Sequence, residues 1–172
     1  LFLNVSGEEK GLLGSQFYTE NPIYPLSNTI TDLNIDMIGR TDNNHENDQY
    51  VYLIGSDRLS SDLDLIARQC NKVYAQLELD YTYNAESDPN KFYYRSDHYN
   101  FAKKDIPVIF YFSGVHEDYH KPTDDVEKIV FSIKICLIKN KIINNNITFM
   151  KCKHCNNIII KIMQITNKFL QQ

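Results

Sequence analysis

Apolar and polar positions along this chain repeat with two periods, and the changes between them mark out elements. Residues 1–5 are nearly continuous in apolar character and predict a buried strand. Residues 11–20 carry Leu12, Leu13, Phe17 and Tyr18 at helical spacing, and Asn21-Pro22 ends the pattern. A second strand is predicted over residues 30–38, with Leu33, Ile35 and Met37 on one side, running into the polar turn 39–44. Tyr50–Ile54 reads as a third strand, stopped by Gly55-Ser56. Residues 60–77 predict a helix whose apolar face is Leu63, Ile66, Ala67, Cys70 and Val73. A polar loop over 84–91 and a short helix over 96–103 lead to residues 106–112, a strand apolar enough to be buried on both faces.

Strands alternating with helices predict an α/β fold: a three-layer α/β/α sandwich with a mixed, mainly parallel sheet. In such sheets the functional groups gather in loops beyond the carboxyl ends of the strands, which is where the acid-rich loops of this chain fall. The pattern stops near Phe131. Residues 132–172 hold 25 Ile, Asn or Lys residues among 41, with no steady period of either kind. These three amino acids share A/T-rich codons, so the expectation is one domain over 1–131 and a tail of read-through or non-coding origin outside the fold. A tail found spliced and in frame by RNA sequencing across related strains would refute that origin.

Composition narrows the classes. The chain has 172 residues, 20.1 kDa and a formal net charge of −4, enough length for one real core and no basic field or basic-aromatic stripe for nucleic acid. Cys70, Cys136, Cys152 and Cys155 are too unevenly spread to suggest a disulfide framework. No apolar run reaches the roughly 18 residues that a membrane span needs. An opening on Leu1, already in strand pattern, leads us to expect a fragment with sequence missing in front.

Four groups of residues invite chemistry. Glu8-Glu9 sits where a strand gives way to a helix, so the two carboxylates point apart: one can hold a metal ion while its neighbour faces a water on that metal. Asp36 lies at a strand's carboxyl end in Asn34-Ile35-Asp36-Met37-Ile38-Gly39-Arg40. Tyr93-Tyr94-Arg95-Ser96-Asp97-His98 precedes the short helix, and His116 to Asp125 follows the buried strand, with Asp118, Tyr119 and His120 inside it. Glu, Asp and His at successive strand ends make a zinc-type donor set. Each group has a plainer reading. Adjacent acids favour the first turn of any helix, and Asp36 alone reads as a turn or cap. His120 alone reads as a loop histidine, and Ser96 or Asp97 as an N-cap. His116 and His45 read as surface residues, and Asp124-Asp125 as a lead into the segment 126–130. Cys152-Lys153-His154-Cys155 has zinc-like spacing but no second pair.

Taken together, GEEKGLLGS, NIDMIGR, YYRSDHYNF and DYHKPTDD resemble, in that order, the co-catalytic zinc aminopeptidases, the family of bacterial leucyl aminopeptidase with relatives in glutamate carboxypeptidase and glutaminyl cyclase. The resemblance covers about residues 1–130. It implies a peptide substrate and two zinc ions, with Glu8 as general base, Glu9 a ligand of one zinc, Asp36 of the other, and His120 on the same zinc as Glu9. It gives Tyr93 the hydroxyl that stabilises the oxyanion, and Asp97 and His98 a supporting place behind the ligands. By the same resemblance residues 1–131 are the C-terminal part of a catalytic domain lacking its N-terminal strands, and secretion is implied because the family frequently works outside the cytoplasm.

The family's site uses five ligands, and its first His and bridging Asp come from a segment that would precede Leu1. The expectation is therefore an exopeptidase whose isolated fragment binds zinc weakly and turns over little. A glutaminyl-cyclase-like acyltransferase and a non-catalytic remnant are the alternative readings.

Overall fold

The computed structural model describes residues 1–130. Four strands form one open sheet, β1 (Asp32–Ile35), β2 (Tyr50–Ile54), β3 (Glu78–Asp80) and β4 (Val108–Phe112), in the order β1-β4-β2-β3. β1 is parallel to β4 with Asp32 opposite Val108, and β2 is parallel to β3 with Tyr50 opposite Glu78. The central pair, β2 and β4, is antiparallel with Leu53 opposite Tyr111, so the sheet is mixed and mainly parallel, as expected. Among the described residues three α-helices accompany it: α1 (Leu13–Glu20), α2 (Ser61–Cys70) and α3 (His98–Ala102). Among the described residues no helix is long and apolar enough to cross a membrane.

The two-residue period of the strands explains the layering. Tyr50, Tyr52 and Ile54 of β2 join Val108, Phe110 and Phe112 of β4 on one face, packed with Tyr18 of α1 and Phe101 and Ala102 of α3. Val51 and Leu53 share the opposite face with Leu33 and Ile109, against Leu63 and Ala67 of α2. The sheet is thus covered on both sides, and each fully buried aliphatic such as Leu53 contributes roughly 1.5–3 kcal/mol. α2 starts where the sequence placed it, because the Ser60 hydroxyl accepts from the Leu63 N–H at 3.3 Å.

Two expectations are corrected and one strand is added. Residues 1–5 form no strand: among the described residues no neighbouring strand pairs with them, and Leu1 and Phe2 are each 38% exposed. An apolar run becomes a strand only with a ladder partner. The second strand is shorter than 30–38, and β3 escaped notice because three residues carry no readable period. The tail and its Cys152–Cys155 group lie outside the described residues.

One carboxyl in β1, half-buried as a residue but with an enclosed oxygen, sets a pH dependence. Asp32 keeps Oδ2 buried without a hydrogen-bond partner, and burial, reinforced by Asp97, pushes its carboxyl up to about 7. The folded state therefore holds a proton that the unfolded chain releases near 3.9. Its contribution is fully present below about pH 4 and lost as pH rises through 7. Asp32→Asn should stabilise the protein by a few kcal/mol at pH 8 and by almost nothing at pH 4, read from urea midpoints at both values. Equal effects at the two pH values would refute the assignment.

Candidate active site

The first acidic loop is built by its glycines. Gly7 and Gly11, with φ of 72° and 104°, bracket the single 3-10 turn Glu8–Lys10, a reversal that residues with a Cβ rarely make. Backbone bonds from Leu12 N to Glu8 O (2.9 Å) and Leu13 N to Gly7 O (3.1 Å) then carry the chain directly into α1. α3 clamps this junction from the side. Asn100 Nδ2 donates to Leu12 O at 3.0 Å and to Ser15 Oγ at 2.7 Å, and Ser15 Oγ donates to Asp97 Oδ1 at 2.5 Å. Asp97 stands at the N-cap position of α3 but makes no capping bond, because its carboxylate is spent on Ser15 rather than on the helix.

Glu8, Glu9, Asp36 and His120, far apart in sequence, line one cavity of about 670 Å³. Met37, Ile38, Phe110 and Phe112 give it an apolar wall, and Arg40, Arg95, His116 and Tyr119 complete much of the rest. Burial pushes the Glu8 carboxyl up to about 7, helped by the carboxylates of Asp36, Glu9 and Asp97 and opposed by His120. A base in that range accepts a proton near neutral pH and can give it back. His120 Nε2 lies 2.8 Å from Glu9 Oε1. Asp36 Oδ2 accepts from Ser96 Oγ at 2.8 Å.

The loop bearing His120 hangs on Asp118. This carboxylate accepts from Arg40 Nη2 (2.6 Å), Thr123 Oγ1 (2.7 Å) and Lys128 Nζ (2.8 and 2.9 Å). The Lys128, Thr123 and Arg40 donors hold its carboxyl far below the usual carboxylate range. Arg40 also pairs with Asp124, so one guanidinium ties the turn after β1 to both ends of the His120 loop. Asp124 is therefore an ion-pair partner, while Asp125 leads into the turn Val126–Lys128 as expected. Leu12, Met37 and His120, three of the six non-glycine residues with left-handed φ among the described residues, all line this cavity. Such conformations cost about 1–3 kcal/mol each and gather where a site needs them.

Tyr93 does not line the cavity. It is 8% exposed, packed in the core with the Arg58 guanidinium 3.9 Å from its ring centroid. Tyr119 does line the cavity, its ring stacked on His120 at 3.9 Å. Burial raises the Tyr119 hydroxyl, which also feels Arg95, Glu9, Glu8 and Asp36. Its position next to His120 was the available signal. His45 and His116 are not surface residues: their side chains are 9% and 6% exposed. His45 stacks on Tyr50 at 3.4 Å and bridges Asp42 (2.9 Å) and Asp80 (3.3 Å). His116 keeps Nδ1 buried without a partner, and burial beside Arg40 lowers its basicity.

The donor set fits zinc in kind. Glu9 and His120 place a carboxylate oxygen and an imidazole nitrogen together, and Asp36 adds a carboxylate on the same cavity. It is short in number, because among the described residues no three His, Cys, Asp or Glu side chains converge as one ligand group.

Comparison with known proteins places the fold. Two solved structures of the LapA aminopeptidase of Legionella pneumophila are similar, at 23% and 25% identity with TM-scores of 0.55 and 0.54. Each likeness covers 73% of this chain, and 32% and 33% of the LapA chains. An aminopeptidase from Aneurinibacillus sp. strain AM-1 is 25% identical with a TM-score of 0.50, over 73% of this chain and 27% of that one. The chain thus spans about a third of the length of these structures. No curated protein matches it. The profile described as Peptidase family M28 matches residues 1–132, more than half of the chain, and by that match the chain belongs to this family of peptidases.

Proposed function

We propose that this chain carries the base and three ligands of a zinc-dependent aminopeptidase site. The observation that supports it best is the convergence of Glu8, Glu9, Asp36 and His120 on one cavity that none of them marks alone. Glu9, Asp36 and His120 would hold zinc, completed by ligands from elsewhere. When bound, zinc supplies Lewis acidity, polarising the scissile carbonyl and acidifying water. Glu8 takes a proton from the attacking water as its oxygen joins the carbonyl carbon. The same carboxyl returns that proton to the amine as the peptide bond breaks. The carboxylates that line this cavity, Asp124 and Asp125 beside the Glu8 group, favour a cationic group, and a free N-terminal amine is one.

Zinc uptake and aminoacyl-nitroanilide hydrolysis, measured on the same samples with and without zinc, test the reading. Zinc-dependent release of nitroaniline is the expected result, at a low rate for this chain by itself. Complete absence of zinc uptake and turnover would refute it.

A second comparison concerns the oxyanion. Resemblance gives that role to Tyr93, whereas the cavity favours the hydroxyl of Tyr119. Tyr119→Phe should lower kcat roughly 10²-fold with little change in KM, the usual cost of losing one such donor. Tyr93→Phe should leave kcat within a few-fold of wild type. The reverse pattern would return the role to Tyr93.

A further inference from the structure

Asp36 is reached by more than Ser96. Ser96 Oγ donates to Asp36 Oδ2 at 2.8 Å and accepts from Asn34 Nδ2 at 2.8 Å. Asn34 Nδ2 also faces His98 Nδ1 at 3.4 Å, and His98 Nε2 lies 2.8 Å from the Tyr93 carbonyl oxygen. Asn34 belongs to β1, and the His98 ring stacks on Phe110 of β4 at 4.8 Å, so both ends of this row are set by the sheet.

Protons fit this row in one order. A carbonyl only accepts, so His98 Nε2 carries a hydrogen. His98 is 0% exposed, and burial drives its basicity down to about 3, which leaves the ring neutral and Nδ1 a lone pair. That lone pair needs a donor, and the Asn34 amide nitrogen supplies it. With the amide reversed, its oxygen would oppose the Nδ1 lone pair and would draw the single Ser96 proton away from Asp36. In the order observed, Asn34 donates to Ser96, and Ser96, 2% exposed, spends its one proton on Asp36.

We propose that His98 is a positioning residue which, through Asn34 and Ser96, fixes Asp36 with Oδ2 as a hydrogen-bond acceptor and leaves Oδ1 as the oxygen offered to a divalent cation. The proton order stands on the geometry of the row and the burial of His98, while its purpose rests on the zinc reading above. Partners behind metal ligands typically change metal affinity 10- to 100-fold.

Two measurements on the full chain test it. Long-range proton–nitrogen NMR spectra of the histidine-labelled protein at pH 7 should show His98 as the neutral Nε2–H tautomer. An Nδ1–H tautomer or a cation would overturn the proton order. Zinc affinity, read by chelator competition, should fall roughly tenfold or more in Ser96→Ala. His98→Gln should fall likewise, and the double variant no further, because the two act along one path. Additive losses, or a Ser96→Ala chain that holds zinc as tightly as wild type, would overturn the positioning role alone. A wild-type chain that takes up no zinc overturns it together with the function proposed above. Should His98→Gln not fold, the NMR measurement and Ser96→Ala still decide.

Discussion

Replacing Glu8 by Gln is expected to lower zinc-dependent hydrolysis by roughly 10²–10⁴-fold while KM, zinc affinity and melting temperature hold, the range general bases usually contribute. Gln keeps the shape but replaces the carboxylate with an amide whose oxygen is too weak a base to take the proton. Folding should not suffer, because the carboxyl it replaces is one that burial and three neighbouring acids disfavour as an anion. The uncharged variant relieves that repulsion. Glu9→Gln provides the contrast: its carboxylate meets His120, so its loss should appear as weaker zinc binding before any change in chemistry. Steady-state kinetics over a range of zinc concentrations separate the two. A Glu8→Gln chain with wild-type kcat at saturating zinc would remove Glu8 from the chemistry.

Much of this site could be read before folding because its parts lie at ends of elements. Glu8-Glu9 falls between an apolar run and a helical period, Asp36 closes a strand, and His120 follows one. A change of period marks a turn, and in a sheet of this class turns at carboxyl ends share one side. The strands Tyr50–Ile54 and Val108–Phe112 were legible for the same reason, since long apolar runs buried on both faces leave little choice of partner.

What could not be read depends on residues remote in sequence. Residues 1–5 have strand composition but no ladder partner among the described residues, and composition says nothing about partners. His45 looked like a surface residue because the groups that bury it, Tyr50 and Asp80, belong to strands whose pairing the pattern did not show. The Asp118–Arg40 pair joins loops that follow the neighbouring parallel strands β4 and β1 but lie 78 residues apart in sequence, so an acid in a polar loop became the anchor of that loop. Tyr93 and Tyr119 are both tyrosines in matched motifs. Only their packing distinguishes the one beneath Arg58 from the one beside His120.

The largest loss of stability is expected from Asp42→Ala, at about 3–5 kcal/mol, the range seen when one partner of a buried charged network is removed. The Asp42 side chain is 3% exposed. It accepts from Tyr52 Oη at 2.5 Å, Asn44 N and Nδ2 at 3.1 Å each, and His45 Nδ1 at 2.9 Å. Its backbone N–H donates to Tyr50 Oη at 2.8 Å, and that hydroxyl donates to Ser113 O at 2.6 Å. One residue thereby fastens the turn after β1 to β2 and to the end of β4, and alanine would strand several buried donors at once. Burial pushes the Asp42 carboxyl up, but the donors from Tyr52, His45 and Asn44 outweigh it and leave it below its usual value. Its stabilisation is thus present above about pH 4 and lost as pH falls further. Asp42→Asn should flatten that acid limb at a smaller cost than alanine. The consequence reaches the site, because Arg40 lies two residues before Asp42 and holds Asp118, two residues before His120. Urea unfolding at pH 7 measures the first effect and zinc affinity the second. An Asp42→Ala chain within about 1 kcal/mol of wild type would show that this turn is held by other contacts.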